Sequence, residues 1–523
     1  MIDETDDRDA AEAIQAFGRE VGVAAIPAKR VQAGNREFLK FVVGREAPLY
    51  TYALHECQKS LREDNQFRGA LGLAPSGAST FPLSVESNAL TTLLARSTRE
   101  VAENSASRGY VVPYVPFQKR EDHHLAQPAS HIVRGRRGVG KSTLIRRAVE
   151  LLSETANIVS VLDMQSYSLL TGDDLIREVM FDACASLSAA GKQVARRFRL
   201  DLRTDALDDT AREIAAGTVP LGKVPIAIKR ALASLTAITK GNAFLFLDDL
   251  HLVDHDSQPA LLHFLHAALK GANGWIKIAG LSSLLNVYSP RTRQGLQVPG
   301  DAQFISLDLT LENPEAAETH LRAILDGFLK AVGYSLGPTV IPEAAFRRLA
   351  WANAGVPRDF LQMFGRSLDH AHRNRHATVT LSDVNVAVGE FGQQKLDEVQ
   401  RDARNEAGEL LDMLEQLQAL CLDGNHVNAF LIRSEESRER SLVQILSDLR
   451  MVHLIHQSIT PGKAGERYEA FILDYSLFTG FRRRRNVKEM IPKELQFKAA
   501  ELRALPKVSA GFFQQAPREN EVG

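Results

Sequence analysis

The sequence has few cysteines and no long apolar segment. Three cysteines are scattered through 523 residues without a CxxC pair, which excludes a cysteine-ligated zinc module and disfavours a disulfide framework. No apolar run approaches the roughly 20 residues that a transmembrane helix requires. The acidic start, Met1 to Asp7, differs from the basic and apolar start of a signal peptide. We therefore expect a cytoplasmic protein with no membrane partner, and we interpret the cysteines as ordinary buried residues; they are Cys57, Cys184 and Cys421.

An excess of charge of one sign is lacking as well. The 63 lysines and arginines nearly balance the 64 aspartates and glutamates, and the net charge is −1. Any contact with nucleic acid must therefore come from local basic patches. The sequence has no internal repeat of roughly 20 to 50 residues, which argues against a solenoid or a propeller. No Ser/His/Asp, paired-carboxylate or zinc HExxH pattern stands out, so these hydrolase classes have no support.

From residue 131 the sequence alternates short apolar runs with helical stretches. Five such runs, each bounded by polar or glycine-containing segments, predict an α/β fold with a parallel sheet covered by helices on both faces. Between the second and third runs lies a long, mostly helical insert, residues 166–240, to which we assign no chemistry. The predicted strands are His131–Arg134, Asn157–Asp163, Ala243–Asp248, Trp275–Leu281 and Gln303–Leu309.

Directly after the first predicted strand, residues 135–142 match the pattern GxxxxGK[ST] of a phosphate-binding loop. Glycines let backbone N–H groups turn toward phosphate oxygens, and the N-terminus of the following helix attracts the same anion. We expect Lys141 to reach the β- and γ-phosphates of ATP and Ser142 to bind Mg²⁺. The predicted nucleotide-binding residues are Gly135, Arg136, Arg137, Gly138, Val139, Gly140, Lys141, Ser142 and Thr143.

The third predicted strand ends in two carboxylates, Asp248 and Asp249. Alone, such a pair could simply cap the end of a strand. Together with a phosphate-binding loop, it predicts that Asp248 holds Mg²⁺ through water and that Asp249 polarises the attacking water. Because Asp249 is one methylene shorter than the more usual glutamate, we expect slow hydrolysis, or a nucleotide switch rather than a fast motor.

Two more positions are candidates for sensing the nucleotide. Ser283, or its neighbour Ser282, follows the fourth predicted strand and could position the hydrolytic water, although serine there is equally consistent with a helix N-cap. Arg358 opens a helix after a Gly-Val-Pro sequence, where proline suits the first turn. It either contacts the nucleotide or pairs with Asp359 or solvent.

In this order the motifs resemble those of AAA+ ATPases of the origin-recognition and STAND-like branch, over residues of about 118–391. The resemblance implies that residues 135–142 are Walker A, that Asp248 and Asp249 are Walker B, and that Ser283 and Arg358 are sensors 1 and 2. The replacement of the usual glutamate by Asp249 departs from the family pattern. So do the first 110 residues, which match no pattern that we associate with it, and the lack of C-terminal sensor repeats.

The resemblance also implies an assembly and a division of the chain. A homo-oligomer would form through the ATPase core, and Arg291 or Arg293 would then be either an arginine finger or solvated. The predicted units are residues 1–117, a mostly helical N-terminal region with a loop or linker at Gly69–Ser84; 118–312, the AAA+ core; 313–404, a helical lid; 405–480, a winged helix; and 481–523, a basic, irregular tail.

The winged-helix prediction depends on three helices followed by a hairpin. The third helix mixes charges, since Ser434 to Arg440 contains three glutamates, so double-stranded DNA and a protein effector are both open as partners. The basic side chains available for DNA are Lys463, Arg467, the run Arg482–Arg485 and Lys488. The predicted helices are 409–420, 427–432 and 436–450, and the predicted strands are 452–460 and 467–473.

These interpretations favour one function and leave two alternatives. The favoured hypothesis is an ATP-hydrolysing protein whose nucleotide-dependent conformational change acts on a DNA or protein assembly. One alternative is a DNA-binding regulator in which ATP is a structural or switch ligand. The other is an adaptor whose N-terminal region recruits an effector.

Overall fold

The protein is described by a computed structural model, and the account that follows covers the residues that it places. None of the helices in this part of the chain is both long and apolar enough to cross a bilayer. The described residues are 4–24, 26–33, 36–75, 81–99, 114–117, 119–309, 311–402, 407–435, 437–461, 466–479, 487–489, 497–509 and 511–513.

The N-terminal region combines three helices with a sheet. The helices provide most of its regular structure, as predicted, but the sequence patterns did not anticipate the sheet, whose third strand lies inside the segment predicted to be a linker. Strands β1 and β2 are antiparallel, and β3 joins β2 in parallel. The sheet forms because alternate residues of β2 face the core, where Phe41 stacks on Phe17 with ring centroids 4.0 Å apart. The elements are α1 (Glu4–Val21), β1 (Ala28–Ala33), β2 (Arg36–Val43), α2 (Pro48–Ser60), β3 (Leu71–Pro75) and α3 (Val85–Arg99).

The central five-stranded sheet is parallel, as predicted, with strand order β10-β4-β7-β6-β5. Its central strands are buried on both faces: Leu245 and Leu247 of β6 belong to one core, and Phe244 and Phe246 to another. The edge strands β5 and β10 are partly exposed. The core elements are α4 (Glu121–Leu125), β4 (His131–Arg134), α5 (Lys141–Ser153), β5 (Ile158–Asp163), α6 (Gly172–Phe198), α7 (Asp205–Ala215), α8 (Val224–Thr239), β6 (Ala243–Asp248), α9 (Gln258–Leu269), β7 (Gly274–Gly280), β8 (Tyr288–Ser289), β9 (Gln294–Gly295) and β10 (Gln303–Ser306).

The long insert between β5 and β6 is helical, as expected, and consists of α6, α7 and α8. Helix α7 is held against α6 by Asp208, which accepts a hydrogen bond from Ser188 at 2.6 Å and pairs with Lys192 at 2.8 Å. The lid is also helical, as predicted, and one hydrophobic core joins it to the N-terminal region and the C-terminal unit. Its helices are α10 (Pro314–Ala331), α11 (Glu343–Ala352), α12 (Pro357–Arg373) and α13 (Leu381–Asp402).

The C-terminal unit keeps the hairpin of a winged helix but has one helix fewer than predicted. The helix expected at 427–432 is wrong, because Ala429 to Ile432 are buried in a strand that pairs on both sides, so sheet pairing outweighs helical propensity. The tail was expected to be irregular, yet β14 returns to this sheet. The elements are α14 (Ala407–Gln418), β11 (Ala429–Arg433), α15 (Arg438–Asp448), β12 (Val452–Ile459), β13 (Tyr468–Leu473), α16 (Ala499–Arg503) and β14 (Lys507–Val508).

Two predicted basic sites cannot be placed in this architecture. Lys463 and the run Arg482–Arg485 lie outside the described residues. Their contact with DNA stays a prediction from the sequence.

Candidate nucleotide site

The phosphate-binding loop joins the carboxyl end of β4 to the N-terminus of α5. Gly138 and Gly140 adopt φ angles of 78° and 104°, which L-residues rarely do, so these glycines give the loop its shape. The Lys141 ammonium is buried and donates to the carbonyl oxygens of Gly135 at 2.8 Å and Arg136 at 3.1 Å. Burial lowers the pKa of Lys141, and the charge of Asp249 opposes that effect. The loop thus folds around one cation.

Two predicted Mg²⁺ ligands meet beside that cation. The Ser142 hydroxyl lies near enough to the Asp248 carboxylate to lower its pKa, and the carboxylate accepts from the Asp249 amide at 3.0 Å. Burial, and then the charge of Asp249, raise the pKa of Asp248 to about 6. A hydroxyl and a carboxylate side by side are hard oxygen donors of the kind that Mg²⁺ prefers. The donor set therefore fits Mg²⁺ bound with phosphate and water.

Asp249 follows the strand in the left-handed region, with φ 55°. Its carboxylate oxygen lies 3.8 Å from His251 Nδ1, and its charge acts on Lys141. Burial, together with the charges of Lys141 and Arg137, lowers the pKa of His251 to about 3. Asp249 is therefore next to the site and beside a neutral imidazole.

The lid covers the loop directly. The Arg358 amide donates to the Gly138 carbonyl at 3.2 Å. A Cβ built on Gly138 would lie 2.8 Å from Arg358 Cβ and 3.2 Å from Val356 Cγ1. Glycine is thus required at this position both by its φ angle and by the close approach of α12. Contact of Arg358 with nucleotide stays a prediction.

The C-terminal unit also enters the site, and no motif in the sequence indicated this. The Asp448 carboxylate at the end of α15 accepts from the Ser283 amide at 2.8 Å and from its hydroxyl at 2.6 Å. The Asp448 carbonyl accepts from the Arg137 amide at 3.1 Å. Burial raises the pKa of Asp448, which the Ser283 hydrogen bonds oppose. Asp448 thus accepts hydrogen bonds both from Ser283, the sensor-1 candidate, and from one backbone N–H of the phosphate-binding loop.

The prediction that Arg136 binds nucleotide as part of the loop stays a prediction, and its side chain holds the loop to its surroundings. Its guanidinium pairs with Asp308 at 3.2 Å and donates to the carbonyls of Leu309 and Ala354, both at 3.0 Å. It also reaches His453 Nδ1 of β12 at 3.3 Å. Since His453 Nδ1 is the acceptor there, its Nε2–H donates to Asp474 at 2.8 Å.

Asp474 begins a buried ion-pair network between the lid and the C-terminal unit. Lys395 of α13 contacts Asp474 at 2.6 Å and Asp359 of α12 at 3.1 Å, and all three side chains have no exposed surface. Arg450 pairs with Asp359 and with Glu398 of the lid. Through His453 and Arg136, this network connects to the phosphate-binding loop.

Two aromatic rings lie beside the far end of the loop. The Phe117 ring stacks on His320 of α10 with centroids 4.8 Å apart, and its tip lies 3.6 Å from a Cβ built on Gly140. Burial lowers the pKa of His320 to about 4, so the ring is neutral. Sequence reasoning missed this pair, because an isolated Phe and His give no pattern.

The remaining predicted residues are Arg291 and Arg293, at a hairpin of the core, and Thr143, which directly follows Ser142. Arg291 and Arg293 are exposed around the β8–β9 hairpin, where the Arg293 amide donates to the Ser289 carbonyl at 2.8 Å. Thr143 is half-buried in the first turn of α5. No cluster of three or more His, Cys, Asp or Glu side chains suited to a metal occurs among the residues that the structure places.

Comparisons with known proteins agree with this geometry for the core. The family model described as AAA ATPase domain matches residues 121–273. No curated protein matches the chain. Among solved structures, Aeropyrum pernix Orc1 in complex with DNA is 16% identical, covering 72% of this chain and 93% of that chain, with a TM-score of 0.37.

Two more solved structures show similar coverage. Cdc6p from Pyrobaculum aerophilum is 15% identical over 70% of this chain and 93% of that chain, with a TM-score of 0.34. Drosophila ORC bound to DNA is 14% identical over 77% of this chain and 94% of that chain, with a TM-score of 0.36. The match to the family model, together with the loop, the sheet and the paired acids, identifies residues 121–273 of this chain as an AAA ATPase domain.

Proposed function

We propose that this protein binds ATP and hydrolyses it slowly, and that it uses the resulting conformational change to act on a DNA or protein assembly. The convergence of Lys141, Ser142 and Asp248 behind a glycine-shaped loop carries this proposal. In this arrangement the loop amides and Lys141 bind the phosphates. We assign the base to the stacked pair Phe117 and His320, because Phe117 lies beside Gly140 of the loop.

Hydrolysis requires little covalent chemistry from the protein itself. Water attacks the γ-phosphorus and the bond to the β-phosphate oxygen breaks, which yields ADP and inorganic phosphate. Asp249 orients the water and receives its proton, while Ser142 and Asp248 would hold Mg²⁺, which neutralises charge on the phosphates when it is bound. Asp249 has a shorter reach than glutamate, so turnover is slow.

Nucleotide binding is coupled to the C-terminal unit through Asp448. Its carboxylate accepts a hydrogen bond from the Ser283 hydroxyl, and its carbonyl accepts one from the Arg137 N–H. Both donors are suited to phosphate oxygens. A triphosphate would compete for both groups and would repel the carboxylate. The C-terminal unit therefore moves when ATP binds, and this movement is the output of the cycle.

The proposed function also requires an oligomer of this protein and a DNA partner. The cores form a homo-oligomer in which Arg291 or Arg293 reaches a neighbouring nucleotide. The winged-helix-like unit, with Arg467 and the tail run Arg482–Arg485, contacts double-stranded DNA. Two of the similar structures were determined with DNA bound. We propose a cytoplasmic location.

A second candidate function is a switch in which ATP is bound but hardly turned over. The short side chain of Asp249 and its position beside the buried, neutral His251 favour this reading. In that case the partner is a protein, and the N-terminal region recruits it.

The test measures ATP hydrolysis and oligomeric state with and without duplex DNA. It compares the wild type with Lys141→Ala, which should lose ATP binding, and Asp249→Asn, which should bind ATP without hydrolysing it. Hydrolysis that disappears in both variants and rises with DNA supports the ATPase. ATP binding without turnover in the wild type supports the switch, and no ATP binding at all overturns both.

A further inference from the structure

The helical insert carries a cluster of arginines that the nucleotide site does not use. Arg196, Arg197, Arg199 and Arg203 lie at the end of α6 and just beyond it, and all four are exposed. None of them forms an ion pair with another residue that the structure describes. The neighbouring cation Lys192, in contrast, is paired with Asp208 at 2.8 Å. We call these four residues the insert arginines.

Their charge is a local feature of a chain that is otherwise balanced. The chain as a whole has a net charge of −1, yet residues 192–203 contain five basic residues and a single acid, Asp201. Arg196 and Arg197 lie in the last turn of α6, and Arg199 caps the helix in the left-handed region with φ 54°. A polyanion bound across these like charges would reduce their mutual repulsion.

A small pocket opens beside the cluster, between α6 and the start of β5. It has a volume of about 80 Å³; its polar lining is Ser153, Thr155, Asn157, Gln193 and Arg197, and apolar side chains, Phe198 among them, form the rest. The hydroxyls of Ser153 and Thr155 and the Asn157 amide donate to backbone carbonyls of α5, which leaves Gln193 and Arg197 as donors toward the pocket. The volume is below the roughly 300–1,000 Å³ of ordinary small-molecule sites. A single phosphate group suits this size and donor set.

The surroundings of the cluster narrow the choice of polyanion. The aromatic side chain within residues 192–203 is Phe198, which is half-buried and has the Arg197 guanidinium 5.6 Å from its ring centre, so it offers bases no open face of the kind on which single-stranded nucleic acid stacks. No large apolar side chain is exposed there either, although insertion into a lipid surface depends on one. Backbone phosphates in a regular duplex need only arginines at suitable spacing.

We propose that the insert arginines bind the sugar-phosphate backbone of double-stranded DNA without reading its sequence. One phosphate lies at Arg197 and the pocket, and neighbouring phosphates along the same strand pair with the other insert arginines. This inference names a partner surface on the ATPase core. It goes beyond the proposed function, because it needs neither ATP turnover nor the C-terminal unit.

The test measures binding of a fluorescein-labelled DNA duplex by anisotropy over a range of salt concentrations. The variant is Arg196→Gln with Arg199→Gln. Its matched control is Arg373→Gln with Arg375→Gln, which also removes two exposed arginines, one in the last turn of a helix and one at a positive φ, from the lid. We expect the insert variant to lose about tenfold in affinity and to reduce the slope of log K against log salt by about 2, whereas the control changes neither.

Three results would overturn the proposal. The first is an unchanged salt slope in the insert variant, and the second is an equal loss in the control. The third is a loss of binding to phosphatidylserine vesicles or to the labelled single strand while duplex binding is kept. Basal ATP hydrolysis is measured on the same samples. A normal hydrolysis rate in the insert variant together with weakened DNA binding would show that this surface acts independently of ATP hydrolysis. A wild type without turnover would refute the proposed hydrolysis, and the salt slope would still test DNA binding by the insert arginines.

Discussion

At the scale of single residues, the site consists of groups that compete for the same partners. Lys141 is surrounded by carboxylates, since Asp249, Asp308, Asp448 and Asp248 all act on its charge. The motif in the sequence predicted Lys141, Ser142 and Asp248. It could not predict Asp448, which lies 165 residues from Ser283 and belongs to no pattern.

Asp448→Asn should strengthen ATP binding. The substitution removes a buried negative charge from the place that the phosphates would approach, and it weakens the hold on Ser283. A charged hydrogen bond contributes about 1.5–3 kcal/mol, so we expect roughly a tenfold lower Kd for a non-hydrolysable ATP analogue. Calorimetric titration measures it, with the exposed Asp423→Asn of the same unit as the control. An unchanged or weaker affinity would show that Asp448 does not compete with nucleotide.

Gly138→Ala should destabilise the contact between the loop and the lid. A side chain at φ 78° is strained, and its Cβ would overlap Arg358 Cβ at 2.8 Å. Such strain costs on the order of 1–3 kcal/mol. The free energy of unfolding by urea should fall by that amount, whereas Gly337→Ala, which meets nothing within 4 Å, should change it by less than about 0.5 kcal/mol. Equal stability of the two variants would contradict this account.

At the scale of elements, the strands of the central sheet followed from local pattern, while β11 did not. The apolar runs of β5, β6 and β7 are bounded by turn residues, and the burial of β6 and β7 on both faces matches that reading, whereas the edge strand β5 is buried on alternate residues. Residues 427–432 have the same apolar content over a length too short to distinguish helix from strand. Residues of β11 form a strand because they pair with β13 and β14, which both lie further along the chain.

The interface between the lid and the C-terminal unit should depend on Lys395. Lys395→Met would leave Asp359 and Asp474 buried with less compensation. Breaking a buried pair in this way costs about 3–5 kcal/mol. Urea unfolding should show that loss, and limited proteolysis should release the C-terminal unit earlier. The control is Lys330→Met, whose partner Asp326 forms an exposed pair worth about 0–1 kcal/mol. Wild-type stability in Lys395→Met would mean that the network does not hold the interface.

At the scale of the whole molecule, stability should fall as the pH drops below about 6.5. Burial lowers the pKa of four histidines, to about 3 for His131 and His251 and about 4 for His320 and His453. They stay neutral in the folded protein, whereas the unfolded chain takes up protons on them below pH 6.5. The free energy of unfolding therefore falls in acid. Asp248, Asp369 and Asp448, whose pKa values are raised, act in the opposite direction, but they are three carboxylates against four histidines.

Thermal unfolding between about pH 7.5 and pH 5.5 measures this effect. Each buried histidine should contribute roughly 1 kcal/mol of destabilisation one unit below its unfolded pKa. His320→Phe, which keeps a ring against Phe117, should reduce the slope, whereas the exposed His55→Gln should not. A midpoint independent of pH over this range would contradict the neutral state of these histidines.

The sequence alone was enough to predict the phosphate-binding loop, the paired acids, the five strands of the central sheet and the helical lid. These features are encoded locally, in glycine spacing and in the period of apolar residues. The packing of distant segments, in contrast, placed Asp448 against Ser283 and the Arg136 side chain against Asp308 and His453. These outcomes depend on contacts between distant segments, whose free energy appears only when the core brings them together.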